Sequence, residues 1–155
     1  MNLAETLFSL LNSLALVGWV LLLFAPRWRW TSRLVLSGAI PLLLSIAYLA
    51  LIVTKFGQAE GGFDSLAGVM QLFRDQWAVL TGWTHYLAFD LFIGAWEVKD
   101  AQERSISHWL VIPCLAFTFL LGPIGLLGYF AIRFFKERRS LWSSMKGDVK
   151  RKNSS

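Results

Sequence analysis

The chain has 155 residues, of which 55% are hydrophobic and 16% charged, with mean hydropathy +0.52 and formal net charge +5. Soluble domains carry roughly 25% charged residues, so this composition excludes an ordinary water-soluble fold, and the length suits a single domain. The positive charge does not imply nucleic acid as a partner: eight of the fifteen Lys and Arg residues fall between Arg133 and Lys152, where a basic cluster after an apolar run sets membrane topology or meets anionic lipid.

Taken in chain order, the sequence reads as an all-α polytopic membrane protein with four spans and one short amphipathic helix. The first apolar run, about 3–24, is long enough to cross a ~30 Å hydrocarbon core. It lacks a basic segment ahead of it and carries Glu5, so it reads as a first span rather than a cleaved signal. Pro26 ends it. Arg27, Trp28, Arg29, Trp30 and Arg33 follow as a basic, aromatic interfacial anchor. The second span is expected at about 34–54, with Pro41 as a kink that neighbouring helices can accommodate. A glycine-rich loop runs from Lys55 to Asp64. An amphipathic helix over Phe63–Trp77 follows, with Leu66, Met70, Phe73 and Trp77 at helical spacing, lying on the membrane surface or capping the bundle. The third span is expected at 79–98 and the fourth at 109–135, kinked at the Gly122–Gly125 sequence GPIG. Together these make a transmembrane domain over 1–135 and a basic tail over 136–155. Cys114 is the single cysteine, which leaves no intramolecular disulfide and no cysteine-based metal site.

Four crossings would put both termini on one side with Lys55 and Arg74. That side would hold ten Lys and Arg residues, against five (Arg27, Arg29, Arg33, Lys99 and Arg104) on the other. The positive-inside rule then makes both termini cytoplasmic, in a bacterial inner membrane or a photosynthetic membrane.

The third span carries the chemistry-bearing residues. Ionisable groups inside a span are costly and usually face a partner or a cavity. At about 100° per residue, Tyr86, Asp90 and Glu97 share one stripe, with Asp100 a turn beyond and His85 on the flank. Two readings of Asp90 stay open: an acceptor that locks helices together, or a desolvated carboxyl group that exchanges protons. Glu97 and Asp100 fall at the interfacial end. His85 and His108 would lie roughly 15–20 Å apart in antiparallel straight spans, too far for a haem held by both, and no metal site or cofactor is expected. The same arithmetic sets Gly122 and Pro123 beside Gly82–His85, as a close helix contact or a notch for a ligand.

The strings GWTHYLAFDLFIGAWEVKDAQ (Gly82–Gln102) and PCLAFTFLLGPIGLLGYF (Pro113–Phe130) closely resemble the signature of the neoxanthin-synthase-like, abscisic-acid-deficient-four type family of integral membrane proteins, with plant plastid and bacterial members. The likeness is strong over about half the chain and extends to the first two spans only in hydropathy. What it implies is isomerisation of an epoxy-carotenoid, in which violaxanthin's epoxide opens as a neighbouring proton is lost. Carried onto this chain, His85 and Asp90 become the acid–base pair and Tyr86 an assisting donor. Trp83, Phe89, Glu97, Gly122 and Pro123 become the substrate-binding positions. Ala95 departs from the pattern, standing where a basic residue is usual. The lack of a transit peptide suits a bacterial member.

Three functions follow for test. The first is an isomerase acting on a carotenoid or other isoprenoid. The second is a non-catalytic membrane subunit that binds pigment or lipid or stabilises a larger complex, and the third is a proton or solute transporter built on Asp90. The expected partners are the lipid bilayer, a hydrophobic isoprenoid ligand, and further copies or other membrane proteins.

Overall fold

The computed structural model describes residues 2–55 and 59–152, with side chains described through 138. Every regular element among these residues is helical: α1 (Leu3–Phe24), α2 (Arg29–Thr31), a π-helical turn (Ser32–Leu36), α3 (Ala39–Thr54), α4 (Leu66–Leu72), α5 (Gln76–Glu103), α6 (His108–Leu121) and α7 (Pro123–Lys152). Two segments, Leu3–Phe24 and Arg29–Thr54, are long and apolar enough to cross a membrane. The chain divides into two compact units, Met1–Trp96 and Glu97–Ser155, with the boundary inside α5.

In the first unit, α1 starts on a capping box. The Asn2 side chain accepts from the Ala4 N–H at 2.7 Å, and Glu5 accepts from the Asn2 N–H at 3.2 Å, so two of the helix's orphan donors are satisfied. Pro26 stops the helix, and Arg29 and Arg33 both stack over Trp30, at 5.5 and 5.6 Å. The chain then re-enters helix earlier than the apolar run suggests, at Arg29. Pro41 makes no kink. It sits in the first turn of α3, where no intrahelical donor is needed, and the break lies at Gly38, whose φ of +84° suits glycine.

The amphipathic helix is shorter than expected. Ser65 caps α4 by accepting from Gly68 N at 3.1 Å, and the helix ends at Leu72, before Trp77, which belongs to α5. Leu72 is buried while Leu66, Met70 and Phe73 are exposed. Residues 56–58 of the expected glycine-rich loop lie outside the described residues.

α5 begins where the Asp75 carboxylate accepts from the N–H groups of Trp77 and Ala78, both at 2.9 Å. It is 28 residues long, about 42 Å at 1.5 Å per residue. Its polarity, from Thr81, Thr84, His85, Asp90, Glu97 and Asp100, sets it apart from the two apolar segments. The two threonines are buried and satisfied internally, donating to the carbonyls of Trp77 and Leu80.

α1 runs parallel to α5 and α3 antiparallel to both. Ala4, Leu51 and Leu80 form a buried cluster at one end. Further along, Gly18 faces Leu91, and Gly94 faces Trp19 and Leu22. Missing side chains at these two glycines let the helices approach closely.

In the second unit, the continuous fourth span expected at 109–135 does not form. Gly122 has φ +44°, a backbone state open to glycine, and Pro123 supplies the first residue of the next helix, where its missing N–H is harmless. The sequence GPIG is therefore a hairpin turn. α7 folds back along α6, with Gly125 against Thr118 and Gly128 against Cys114. α6 has only 14 residues, about 21 Å, which is short of a ~30 Å core. Helix α7 continues into the segment expected as a basic tail; side chains from 139 onward lie outside the described residues.

Candidate functional site

The first unit holds an apolar groove of about 320 Å³, lined by Gly38, Pro41, Leu42 and Ser45 on the α3 side and Ala88, Phe89 and Phe92 on α5. Helical spacing builds it. Residues 41, 45 and 48 recur at three- and four-residue intervals along α3, as do 85, 88/89 and 92 along α5, so each set shares a face. Ala88 is buried, whereas Leu42, Phe89 and Phe92 are more than half exposed.

One turn beyond Phe89, the same face of α5 carries His85. Its ring stacks on Phe89 with centroids 4.5 Å apart, and the Tyr48 ring of α3 lies 5.5 Å away. An imidazole and a phenol thus stand one turn from the groove residues Phe89 and Ser45. Tyr48 was not among the expected residues, although its spacing from Pro41 and Ser45 could have flagged it.

Tyr86 and Asp90 occupy a different face of α5. Their side chains hydrogen-bond one turn apart, and His85 is within electrostatic reach of the Asp90 carboxylate. Asp90 Oδ2 is buried and has no hydrogen-bond partner among the described residues. Trp83 lies 5.2 Å from Tyr86 and 5.8 Å from Phe8 of α1. It donates from Nε1 to Asn12 Oδ1 at 3.1 Å, and Asn12 in turn donates to the Phe8 carbonyl. Trp83 is therefore tied to α1, while Phe89 is the expected binding residue that lines the groove.

The remaining expected residues belong to the second unit. Glu97, expected at the interfacial end, is fully buried and accepts from Thr118 Oγ1 at 3.0 Å. Gly122 and Pro123 form the turn between α6 and α7. Asp100 joins a clamp that sequence spacing did not reveal. It accepts from Tyr129 Oη at 2.6 Å and from Arg104 Nε at 2.9 Å, with Arg133 at 3.7 Å. Glu137 accepts from Arg104 and from Arg133, the latter at 3.3 Å. Burial opposes ionisation of Asp100, but the Tyr129 hydrogen bond and the two arginines outweigh it and hold its carboxyl below the usual carboxylate range. Two carboxylates face two guanidinium groups, so the clamp is charge-balanced and fastens the returning α7 to the end of α5. Among the described residues, no three His, Cys, Asp or Glu side chains converge as a metal cluster.

Comparison with known proteins accords with the two signature strings. The ABA DEFICIENT 4-like family pattern matches residues 6–129. The chloroplastic protein ABA DEFICIENT 4 of Arabidopsis thaliana is 21% identical over 141 residues, covering 85% of this chain. The chain spans 62% of that relative's length. No solved structure matches. With most of its length matched, including every residue of the groove, the chain belongs to the ABA DEFICIENT 4-like family.

Proposed function

We propose that the protein is a membrane isomerase that opens the epoxide of an epoxy-carotenoid, or of a related isoprenoid, by acid–base chemistry. The observation that carries this reading is the apolar groove between α3 and α5, with His85 and Tyr48 in ring contact one turn from its lining residues Phe89 and Ser45. A long hydrocarbon lies along Leu42, Phe89 and Phe92, and its oxygenated ring meets the two polar side chains. Tyr48 donates a proton to the epoxide oxygen as the C–O bond breaks. His85 takes a proton from the neighbouring carbon, and that C–H electron pair forms the new double bond. Nothing is oxidised or reduced, and proton return from imidazolium to phenolate resets the site. Asp90, held by Tyr86, offsets the charge that develops on His85.

General acid–base groups of this kind contribute about 10²–10⁴-fold each. The test is expression in a host that accumulates violaxanthin, with pigments resolved by chromatography. Wild type should yield an allenic isomer of unchanged mass. His85→Ala and Tyr48→Phe should each lose at least about a hundredfold, and Asp90→Asn should lose less. If wild type makes no product but carries unaltered pigment through purification, a second reading takes over: the same open apolar groove serves a non-catalytic pigment- or lipid-binding subunit.

For the membrane arrangement, we infer three crossings, by α1, by α2–α3 and by α5 over residues 79–98, with α6 and α7 as a hairpin that enters the bilayer and returns. The exposed apolar faces of α1 and α3 suit lipid contact. Arg27, Arg29, Arg33, Lys99, Arg104 and the eight basic residues from Arg133 onward then share one side, thirteen of the fifteen in the chain. The positive-inside rule makes that side cytoplasmic or stromal. Three crossings set the N-terminus opposite, in place of two cytoplasmic termini.

A further inference from the structure

The second unit holds a cleft of about 460 Å³ between the α5–α6 connection and the returning α7. Ser105, Ser107 and Lys136 supply its polar lining, and Leu110, Ile132 and Phe135 its apolar wall. The hairpin creates it, because only a reversal at Gly122 brings Lys136 opposite the connection that precedes α6.

Charge in this region is unevenly committed. Arg104 and Arg133 are occupied by Asp100 and Glu137, whereas Lys136 is exposed and makes no ion pair among the described residues. The connection is held in place by Ser105 N donating to Gln102 O at 3.2 Å and Ile106 N donating to Ala101 O at 2.8 Å. Ser105 itself adopts φ +53°. Ser107 precedes α6, makes no side-chain capping bond, and lines the cleft. A cation and two serine residues thus line one part of the cleft. The rest is hydrocarbon, with Leu110 and Phe135 both more than half exposed.

We propose that this cleft binds an anionic phospholipid, with the headgroup phosphate at Lys136 and the serine connection and an acyl chain along Leu110, Ile132 and Phe135. Charge complementarity selects an anionic over a zwitterionic lipid, and the apolar wall selects a lipid over a soluble phosphate. The site is separate from the His85 groove and does not depend on the isomerase reading.

The test uses the full chain in nanodiscs of phosphatidylcholine, carrying either spin-labelled phosphatidylglycerol or spin-labelled phosphatidylcholine as a minor component. The fraction of motionally restricted label is read by electron paramagnetic resonance. One cation near a membrane surface contributes about 1 kcal/mol, so wild type should favour phosphatidylglycerol about fivefold. Lys136→Gln should bring the two lipids to near parity, and Lys136→Arg should restore the preference. Arg138→Gln, a cation outside the cleft, should leave it largely intact, and inorganic phosphate should not displace the lipid. The proposal is overturned if wild type shows no preference, if Lys136→Gln retains it, if Arg138→Gln lowers it equally, or if inorganic phosphate competes.

Discussion

Gly125 separates a hairpin from a straight span by the sign of a single substitution. In the hairpin, a Cβ at this position falls well under 3.0 Å from the backbone nitrogen and hydroxyl of Thr118 and from the Cys114 carbonyl oxygen. These are mostly backbone atoms of a packed helix, so α6 and α7 must part by about an ångström. Overpacking of this kind costs roughly 1–3 kcal/mol, and an immovable neighbour puts Gly125→Ala at the upper end. Alanine returns about 1 kcal/mol through its better helix propensity. The net loss is then about 2 kcal/mol, a fall in Tm of about 4–8 °C for a chain of this size. Gly128→Ala is the matched control, since its Cβ would meet Cys114 Sγ at 3.5 Å, an ordinary contact, and should be neutral or slightly stabilising. Thermal unfolding of both variants in one detergent gives the answer. A Gly125→Ala protein as stable as wild type, or more so, would refute the hairpin, because a straight helix offers that methyl group no obstacle.

Three further outcomes follow. With its carboxyl held below the usual range in the folded state, Asp100 adds stability above the unfolded value of about 3.9, and that stability is lost as pH falls through the folded value. Between pH 7 and pH 3 the Tm of wild type should therefore fall further than that of Asp100→Asn, and parallel curves would remove the ion-pair account. In a Cys114→Ser background expressed in a bacterial inner membrane, Ser105→Cys and Lys136→Cys should share protection from an impermeant maleimide in intact spheroplasts. Glu60→Cys should react there, whereas a straight fourth span would put Ser105 and Lys136 on opposite sides. Trp83→Phe keeps the ring but loses the bond to Asn12. It should lower stability by about 1 kcal/mol, measurable by denaturant titration, without abolishing isomerisation.

Much of the helical layout was readable because apolar length and proline punctuation act locally. Residues 3–24 and the family strings needed no tertiary information, and the Tyr86–Asp90 pair followed from a one-turn spacing. Gly122–Pro123 was legible as an irregularity, but not as a reversal. The same residues serve a kink within a span or a turn between helices, and the choice rests on Gly125 and Gly128 packing against Thr118 and Cys114. The clamp of Asp100 with Tyr129, Arg104, Arg133 and Glu137 stayed hidden for the same reason, since its members meet only after α7 turns back. Tyr48 went unnoticed because a single tyrosine in an apolar run carries no signal until α5 sets His85 beside it.

The central claim is that chemistry takes place where the α3–α5 groove meets His85. Its most direct test is conversion of violaxanthin, as the only pigment, by purified protein in nanodiscs. Wild type is compared with Ser45→Trp, whose indole would fill the groove while leaving His85, Tyr48 and Asp90 in place. The account predicts an allenic product from wild type and none from Ser45→Trp. An inactive wild type, or a Ser45→Trp protein that converts the pigment at the wild-type rate, would contradict it.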